Sequence, residues 1–358
     1  MMSEISALRA QVQETVQGFL AMQAELLADV SDDCAPLVHY VADLMNGGKL
    51  LRPAFCYWAW RATGAAAEPG IVTAAASLEF LQAAALIHDD VMDASDTRRG
   101  APSMHRRFAA LHRGHGWSKD PDHFGVSAAV LAGDLCLTWS DSLYSSSALP
   151  WPSLARGRRI FDGMRTQLMG GQYLDLLEQV AGAGGDLGMG ALHRARRVMH
   201  YKSAKYTVEH PLLLGAQLAG AGDALLTSLS RFGLALGEAF QLRDDVLGVF
   251  GDPVQTGKPA GDDLREGKRT VLVALALRDG SPAQRDTMTS LLGGPPPGPA
   301  EIDVLRGVIV ETGALAAVEQ MIADLLARSL SALDTSEIDD TARSVLLGLA
   351  EAATSRSA

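Results

Sequence analysis

The chain has 358 residues, 47% of them hydrophobic and only 6% aromatic, with a formal net charge of −11. That length allows a large core in one big domain or two smaller ones, while the acidic balance removes the basic face that a general nucleic-acid binder needs. No uncharged apolar run reaches the roughly 18 residues of an integral membrane span, and three cysteines without CxxC spacing (Cys34, Cys56, Cys136) argue against a disulfide framework or zinc site and for a reducing cytoplasm.

In chain order, Ile5, Leu8, Val12, Val16, Phe19 and Leu26 recur at steps of mostly three or four, which predicts an amphipathic helix. Its early acids and lack of a long apolar block are not those of a secretory signal. Helical patterns return in "AASLEFLQAAALIHDDVMD", "AAVLAGDLCLTWSDSLY", "IFDGMRTQLMGGQYLDLLEQV", "LLTSLSRFGLALGEAFQLRDDVLGVF" and "LAAVEQMIADLLARSLSAL". Breakers separate them: "NGGK", "HRGHGWSKDPDHFG", "AGAGGDLGMG", "GDPVQTGKPAGDD" and "GGPPPGP". The last reads as a disordered surface loop, and none reads as a domain linker. Strand alternation is absent. The expected fold is all-α, one domain of many helices with short connections.

The first chemistry-bearing stretch is "LIHDDVMDASDTRRG". On a helix, Asp89 and Asp93 project from one face one turn apart, with Asp90 beside them. Carboxylates that close stabilise each other only around a cation, and oxygen-only ligands point to magnesium. Magnesium usually keeps water and takes phosphate oxygens from a substrate. Arg98 and Arg99 follow, and arginine suits bidentate phosphate recognition. A phosphorylated ligand follows from the pair, against the alternative of a solvated helix end.

A second acid pair, Asp244 and Asp245, closes another apolar helical run, with Gln241 on the face of Asp244. Two acidic helix ends facing each other suit a diphosphate held through several metals. Lys258 and Lys268 lie in a Gly-rich stretch able to close over the ligand. Between them, Asp262, Asp263 and Arg265 read as an exposed charged loop. Lys49 and Arg52 flank a helix start in "GGKLLRP". His88 reads as a helix-packing histidine, and His105, His112, His115 and His123 as loop residues.

These motifs are collinear with those of the trans-isoprenyl diphosphate synthases, the polyprenyl synthetase family. "GGKLLRP", "DDVMDASDTRRG", "GDLCLTWSD", "GQYLDL", "YKSAKY", "QLRDDVLGVFGD" and "GKPAGDDLREGKRT" carry the resemblance over residues 45–275. It implies a single isoprenoid synthase domain over 1–358, with C-terminal helices in 300–358. It also implies about ten core helices around a deep central cavity, as a homodimer. Magnesium, as a set of about three ions, would be held by Asp89, Asp90, Asp93, Asp244 and Asp245, with Asp89, Asp93 and Asp244 the direct ligands. Lys49, Arg52, Arg99 and Gln82, where the family often has histidine, resemble the isopentenyl diphosphate site. Arg98, Lys202, Lys258 and Lys268 resemble the clamp on the allylic diphosphate, and Ser203 and Gln241 resemble residues near the forming carbocation. Asp89, Asp93, Asp244, Lys202 and Gln241 are the implied catalytic set. One departure is Gly248, where a full second DDxxD has its last acid; Asp252 is the candidate replacement.

The implied chemistry is magnesium-assisted ionisation, condensation and elimination between isopentenyl diphosphate and an allylic diphosphate. Ala84 and Ala85 stand about one turn before Asp89, where members of the family that stop at farnesyl diphosphate carry bulky aromatics. Geranylgeranyl diphosphate or a longer product is therefore expected, with Phe80 and Leu81 as the pocket floor. Farnesyl diphosphate synthesis, terpene cyclisation and a non-catalytic subunit role are the alternatives.

Overall fold

The structure is a computed structural model that describes residues 2–181, 189–252, 261–334 and 338–354. In chain order the helices are α1 (Met2–Ala28), α2 (Ala35–Met45), α3 (Leu51–Ala62), α4 (Pro69–Met92), α5 (Met104–His115), α6 (Pro121–Ser145), α7 (Trp151–Ala181) and α8 (Met189–Val198). A π-helical segment (Met199–Glu209) leads into α9 (His210–Ala219) and α10 (Asp223–Phe250). Then come α11 (Asp262–Arg265), α12 (Val271–Asp279), α13 (Pro282–Leu292), α14 (Pro299–Glu311), α15 (Ala314–Ala332) and α16 (Asp340–Thr354). The all-α expectation holds.

Local chemistry explains the boundaries. Pro69 and Pro121 occupy the first helical position of α4 and α6, where the missing N–H costs nothing. Asp120 accepts from Asp122 N at the start of α6, and Ser281 with Gln284 forms a capping box on α13. "GGPPPGP" is a mostly exposed connection between α13 and α14 with Pro297 buried.

The helices gather around two apolar clusters. The first joins α1 to α7, α9, the beginning of α10 and α16; the second joins α8, the end of α10 and α11 to α15. α10 runs through both, with Leu229, Phe232 and Leu236 in one and Leu242, Val246 and Val249 in the other. α4 is long and apolar enough to cross a membrane, but 72% of its apolar window is buried inside the molecule. It is a core helix, packed along α6.

Two close approaches position the site. A β-carbon on Gly133 of α6 would lie 2.1 Å from His88 Nε2, so the absent side chain is the notch that seats His88. A β-carbon on Gly171 of α7 would meet Lys202 N at 2.5 Å, and one on Gly237 of α10 would meet Ala204 O at 2.6 Å. The π-helical segment is thus clamped between α7 and α10 by paired glycines, a wide turn of the kind often found at functional sites.

The sequence pattern missed one strand pair. Thr97–Arg98 (β1) pairs antiparallel with Ala101–Pro102 (β2). The turn is Arg99–Gly100, with φ +54° and +76°. Both central residues are left-handed, as a two-residue type I′ turn requires. Two residues per strand are too few to show alternation.

Candidate active site

Asp89 and Asp90 lie in the last turn of α4, and Asp93 is its C-cap. Acids there oppose the helix dipole, so cations must gather. Arg98, placed by the hairpin, donates from Nε to Asp90 Oδ1 at 2.8 Å and from Nη2 to the same oxygen, and reaches Asp89 Oδ2 at 3.3 Å. Lys202 Nζ, from the π-helical segment, donates to Asp89 Oδ1 at 3.1 Å and to Asp175 Oδ2 at 2.6 Å. Gln172 Nε2 also donates to Asp89 Oδ1, at 2.9 Å. Burial alone would raise the Asp89 pKa, but Lys202, Lys268 and Arg98 together hold its carboxyl well below the usual carboxylate range.

Asp93 differs. Its side chain is 2% exposed, and among the described residues neither carboxylate oxygen accepts a hydrogen bond. Burial, reinforced by Asp89 and opposed by Lys268, pushes its pKa up. Lys268 Nζ stands 3.4 Å from Asp93, 3.6 Å from Asp263 and 2.5 Å from Glu266. One ammonium therefore links the end of α4 to the segment beside α10. Burial works against its charge, but Asp263, Glu266 and Asp93 raise the Lys268 pKa well above the ordinary lysine value.

On α10, Gln241 Nε2 donates to Asp245 Oδ1 at 2.7 Å. Asp245 is buried, and burial pushes its pKa well above the ordinary value, with Gln241 opposing and Asp263 and Asp244 adding. Asp244 is half-buried one position earlier. Asp263 was expected in a solvated loop; instead its side chain is 16% exposed, lies against Gly248, and is anchored by the fully buried Leu264. Arg265 remains peripheral, 4.0 Å from Asp262.

A second polar group sits nearer the start of the chain. Arg52 Nη2 donates to Thr207 Oγ1 at 2.8 Å, and its guanidinium lies 4.3 Å from the Tyr206 ring centre. Tyr206 Oη donates to Gln82 Oε1 at 2.8 Å. Arg99 Nη1 donates to Leu44 O at 2.9 Å and packs against Gly48. Lys49 is exposed on that loop. Burial raises the Glu79 pKa, while Arg52 and Arg99 lower it. The hairpin thus sends adjacent arginines to different groups, Arg98 to the acids and Arg99 to the glycine loop. Ser203 is half-buried beside Lys202, and Lys258 lies outside the described residues.

Phe80, Leu81 and Ala84 are fully buried, and Ala85 is half-buried. Ser77, Phe80, Ala84 and His88 share one face of α4. Ser140 Oγ of α6 donates to Ser77 O at 2.7 Å, the Trp139 and Phe80 rings meet edge-on at 6.1 Å, and His88 sits in the Gly133 notch. Ala84 therefore belongs to the α4–α6 seam. Ala85, four before Asp89, lies on the Asp89 side with Leu81 one turn further back.

Among the described residues, no three His, Cys, Asp or Glu side chains form a ready cation cage. A cavity of about 400 Å³ lies elsewhere, between α1 and α2, lined by Leu20, Leu27 and Val38 among others. The donor chemistry fits magnesium nonetheless: the acids offer only oxygen, and Asp93 has two buried oxygens without a hydrogen-bond donor among the described residues.

The polyprenyl synthetase family profile matches residues 35–307. The chain belongs to the polyprenyl synthetase family. It is 41% identical to a geranylgeranyl pyrophosphate synthase from Corynebacterium glutamicum solved with isoprenyl diphosphate and magnesium, covering 98% of this chain and 99% of that one at a TM-score of 0.92. It is 31% identical over 299 residues to a geranylfarnesyl diphosphate synthase from Aeropyrum pernix, covering 77% of this chain and 85% of the relative. Against an octaprenyl diphosphate synthase from Escherichia coli it is 32% identical over 277 residues, 75% of each. The site residues that sequence reasoning left unassigned are Gln172, Asp175, Asp263, Glu266, Glu79 and Thr207. Gln172 and Asp175 had a signal: they are one turn apart on a helix, inside "GQYLDL".

Proposed function

We propose that this chain joins isopentenyl diphosphate to an allylic diphosphate, making geranylgeranyl diphosphate or a longer prenyl diphosphate. It is a trans-prenyl diphosphate synthase, a transferase. The observation that carries the site is the Lys268 ammonium shared by Asp93, Asp263 and Glu266. It lies where carboxylates from both halves of the molecule converge on positive charge.

In this reading Asp89, Asp93 and Asp244 hold magnesium, and Asp90 and Asp245 are inner anchors, tied to Arg98 and Gln241. Bound magnesium would supply the charge that a departing diphosphate requires. Lys202, Lys268 and Arg98 orient that diphosphate and stabilise its growing charge. The allylic C–O bond breaks and its electron pair leaves with the diphosphate. The double bond of isopentenyl diphosphate forms the new C–C bond, and the released diphosphate takes up the proton whose loss restores the alkene. Arg52, Arg99, Lys49 and Gln82 hold the isopentenyl diphosphate. That second basic group, apart from the acids, favours a two-substrate synthase over a cyclase with one substrate.

Residues 1–358 are read as one isoprenoid synthase domain, since α10 contributes to both core clusters. Val126 and Val130, one turn apart on α6, are exposed apolar side chains, as is Leu131, which supports a homodimer. Three free cysteines, two of them buried, support a cytoplasmic location. The test incubates the purified chain with magnesium, isopentenyl diphosphate and each short allylic diphosphate, with its mass followed by sedimentation. Elongated prenyl diphosphates and a dimeric mass are expected. A folded chain that elongates none of the starters alone would instead be a partner subunit.

A further inference from the structure

Asp89 stands in the last turn of α4, pulled toward its donors: Lys202 and Gln172 reach its Oδ1, and Arg98 reaches its Oδ2. Carboxylates there oppose the helix dipole, and a terminal turn is the part of a helix that frays most readily. On the α6 flank of the same turn stands His88. Its Nε2 lies 3.3 Å from Val130 O and 3.6 Å from Asp134 Oδ1. A carbonyl oxygen can only accept, so Nε2 carries the proton and donates. The acceptor belongs to the backbone of a 25-residue helix, a fixed point rather than a movable side chain.

The seat is shaped to the ring. A β-carbon on Gly133 would lie 2.1 Å from His88 Nε2, 2.5 Å from its Cδ2 and 2.7 Å from its Cε1. Glycine inside a helix weakens it relative to alanine, and at 133 it opens the space through which the imidazole reaches the α6 backbone. We infer that His88 is a positioning residue for Asp89: its tether to Val130 O, through the Gly133 notch, fixes the last turn of α4 against the pull of Lys202, Gln172 and Arg98. The imidazole packs on α6, so it acts through Asp89 and not on the reacting atoms. The inference rests on the reading of Asp89 as a magnesium ligand. Its consequence is that divalent-cation affinity at the α4 end depends on a hydrogen bond made outside the acid cluster, while the group around Arg52 and Arg99 does not depend on it.

The test is a titration of Mn²⁺ with inorganic pyrophosphate present, read by electron paramagnetic resonance, with melting temperature and the KM for isopentenyl diphosphate measured in parallel. His88→Leu keeps bulk and removes the donor; Mn²⁺ affinity should fall about tenfold, the scale for losing an outer partner that orients a metal ligand, with that KM unchanged. His88→Gln, whose amide nitrogen can stand where Nε2 does, should restore the affinity. Gly133→Ala combined with His88→Ala refills the notch without a donor, so the melting temperature should recover while the affinity stays low. Wild-type affinity in His88→Leu would reduce His88 to packing and overturn the inference. So would an affinity that returns with the melting temperature in the refilled pair, a His88→Gln no better than His88→Leu, or a KM for isopentenyl diphosphate that rises as far as the Mn²⁺ affinity falls. If His88→Leu does not fold, the refilled pair decides alone. Asp89→Asn in the same titration separates the two levels. If it loses affinity while His88→Leu does not, only the His88 assignment falls. If it keeps wild-type affinity, the site reading falls and the inference with it.

Discussion

The two acidic ends meet the same electrostatic demand in different ways. At the end of α4, three aspartates come from one contiguous stretch, and their cations arrive from elsewhere: Arg98 from the hairpin, Lys202 from the π-helical segment, Lys268 from beyond α11. At α10 only two acids are contiguous, and a third carboxylate comes in from α11 over a glycine. Asp89 and Asp245 also titrate in opposite directions. Asp89 is held ionised by its cations, whereas burial drives Asp245 toward its protonated form. One end is an ion-paired cluster of acids with Arg98, Lys202 and Lys268. The other holds a buried inner carboxyl whose pKa is raised, with the Asp263 carboxylate lying over Gly248.

The largest expected effect tests that division directly. Asp89→Ala removes the carboxylate on which Lys202, Arg98 and Gln172 converge. Turnover should fall at least about a hundredfold, the scale for losing one preorganised charge-stabilising group, with the helical circular-dichroism signal retained. Steady-state kinetics of Asp89→Ala beside Asp245→Ala checks it. The α4 end should show the larger loss, and equal losses would erase the distinction drawn here.

A smaller effect should appear in stability against pH, with divalent cations chelated. The folded pKa of Asp245 is raised, so in the window above the unfolded value, about pH 4, the folded state retains a proton that the unfolded state has released. The stability that Asp245 contributes is therefore complete in acid and is lost as the pH rises through that window. For Asp89 the sign reverses, because its folded pKa is depressed. Its contribution is present above about pH 4 and is lost as the pH falls through the folded value. At pH 8, Asp245→Asn should raise the melting temperature by a few degrees, since Asn can still accept from Gln241. Asp89→Asn should lower it. Scanning calorimetry of the pair in chelator would reveal whether the shifts have opposite signs, and a common sign would refute the contrast.

Much of this was legible in the sequence, for a definite reason. Acids at the ends of apolar helical runs and basic residues after Gly-rich turns are local patterns, so both acidic ends and several of the basic residues around them could be read before folding. What escaped was set by tertiary approach. Asp263 looks like loop charge until α11 lays it against Gly248. Glu79 looks like a polar interruption in α4 until Arg52 and Arg99 approach it from either side of the chain. The Arg99–Gly100 turn is too short to register as strand, yet it decides which arginine serves which group. The two alanines before Asp89 show the same limit, because adjacent positions in sequence point to different faces.

Those alanines give the smallest and most selective prediction. On α4, Ala84 shares its face with Ser77, Phe80 and His88, all engaged by α6, and is fully buried. Ala85 is half-buried on the face that carries Asp89. A phenylalanine at 84 has to force the helices apart, an overpacking cost of about 1–3 kcal/mol. A phenylalanine at 85 enters the space beside Asp89, where a growing prenyl chain would lie. Ala85→Phe should therefore shorten the product with little change in melting temperature. Ala84→Phe should lower the melting temperature and move product length less. Reversed-phase separation of the dephosphorylated products, with calorimetry of both variants, checks the pair. If Ala84→Phe alone shortens the product at unchanged stability, the hydrocarbon runs along the α6 seam and the two faces of α4 have exchanged roles.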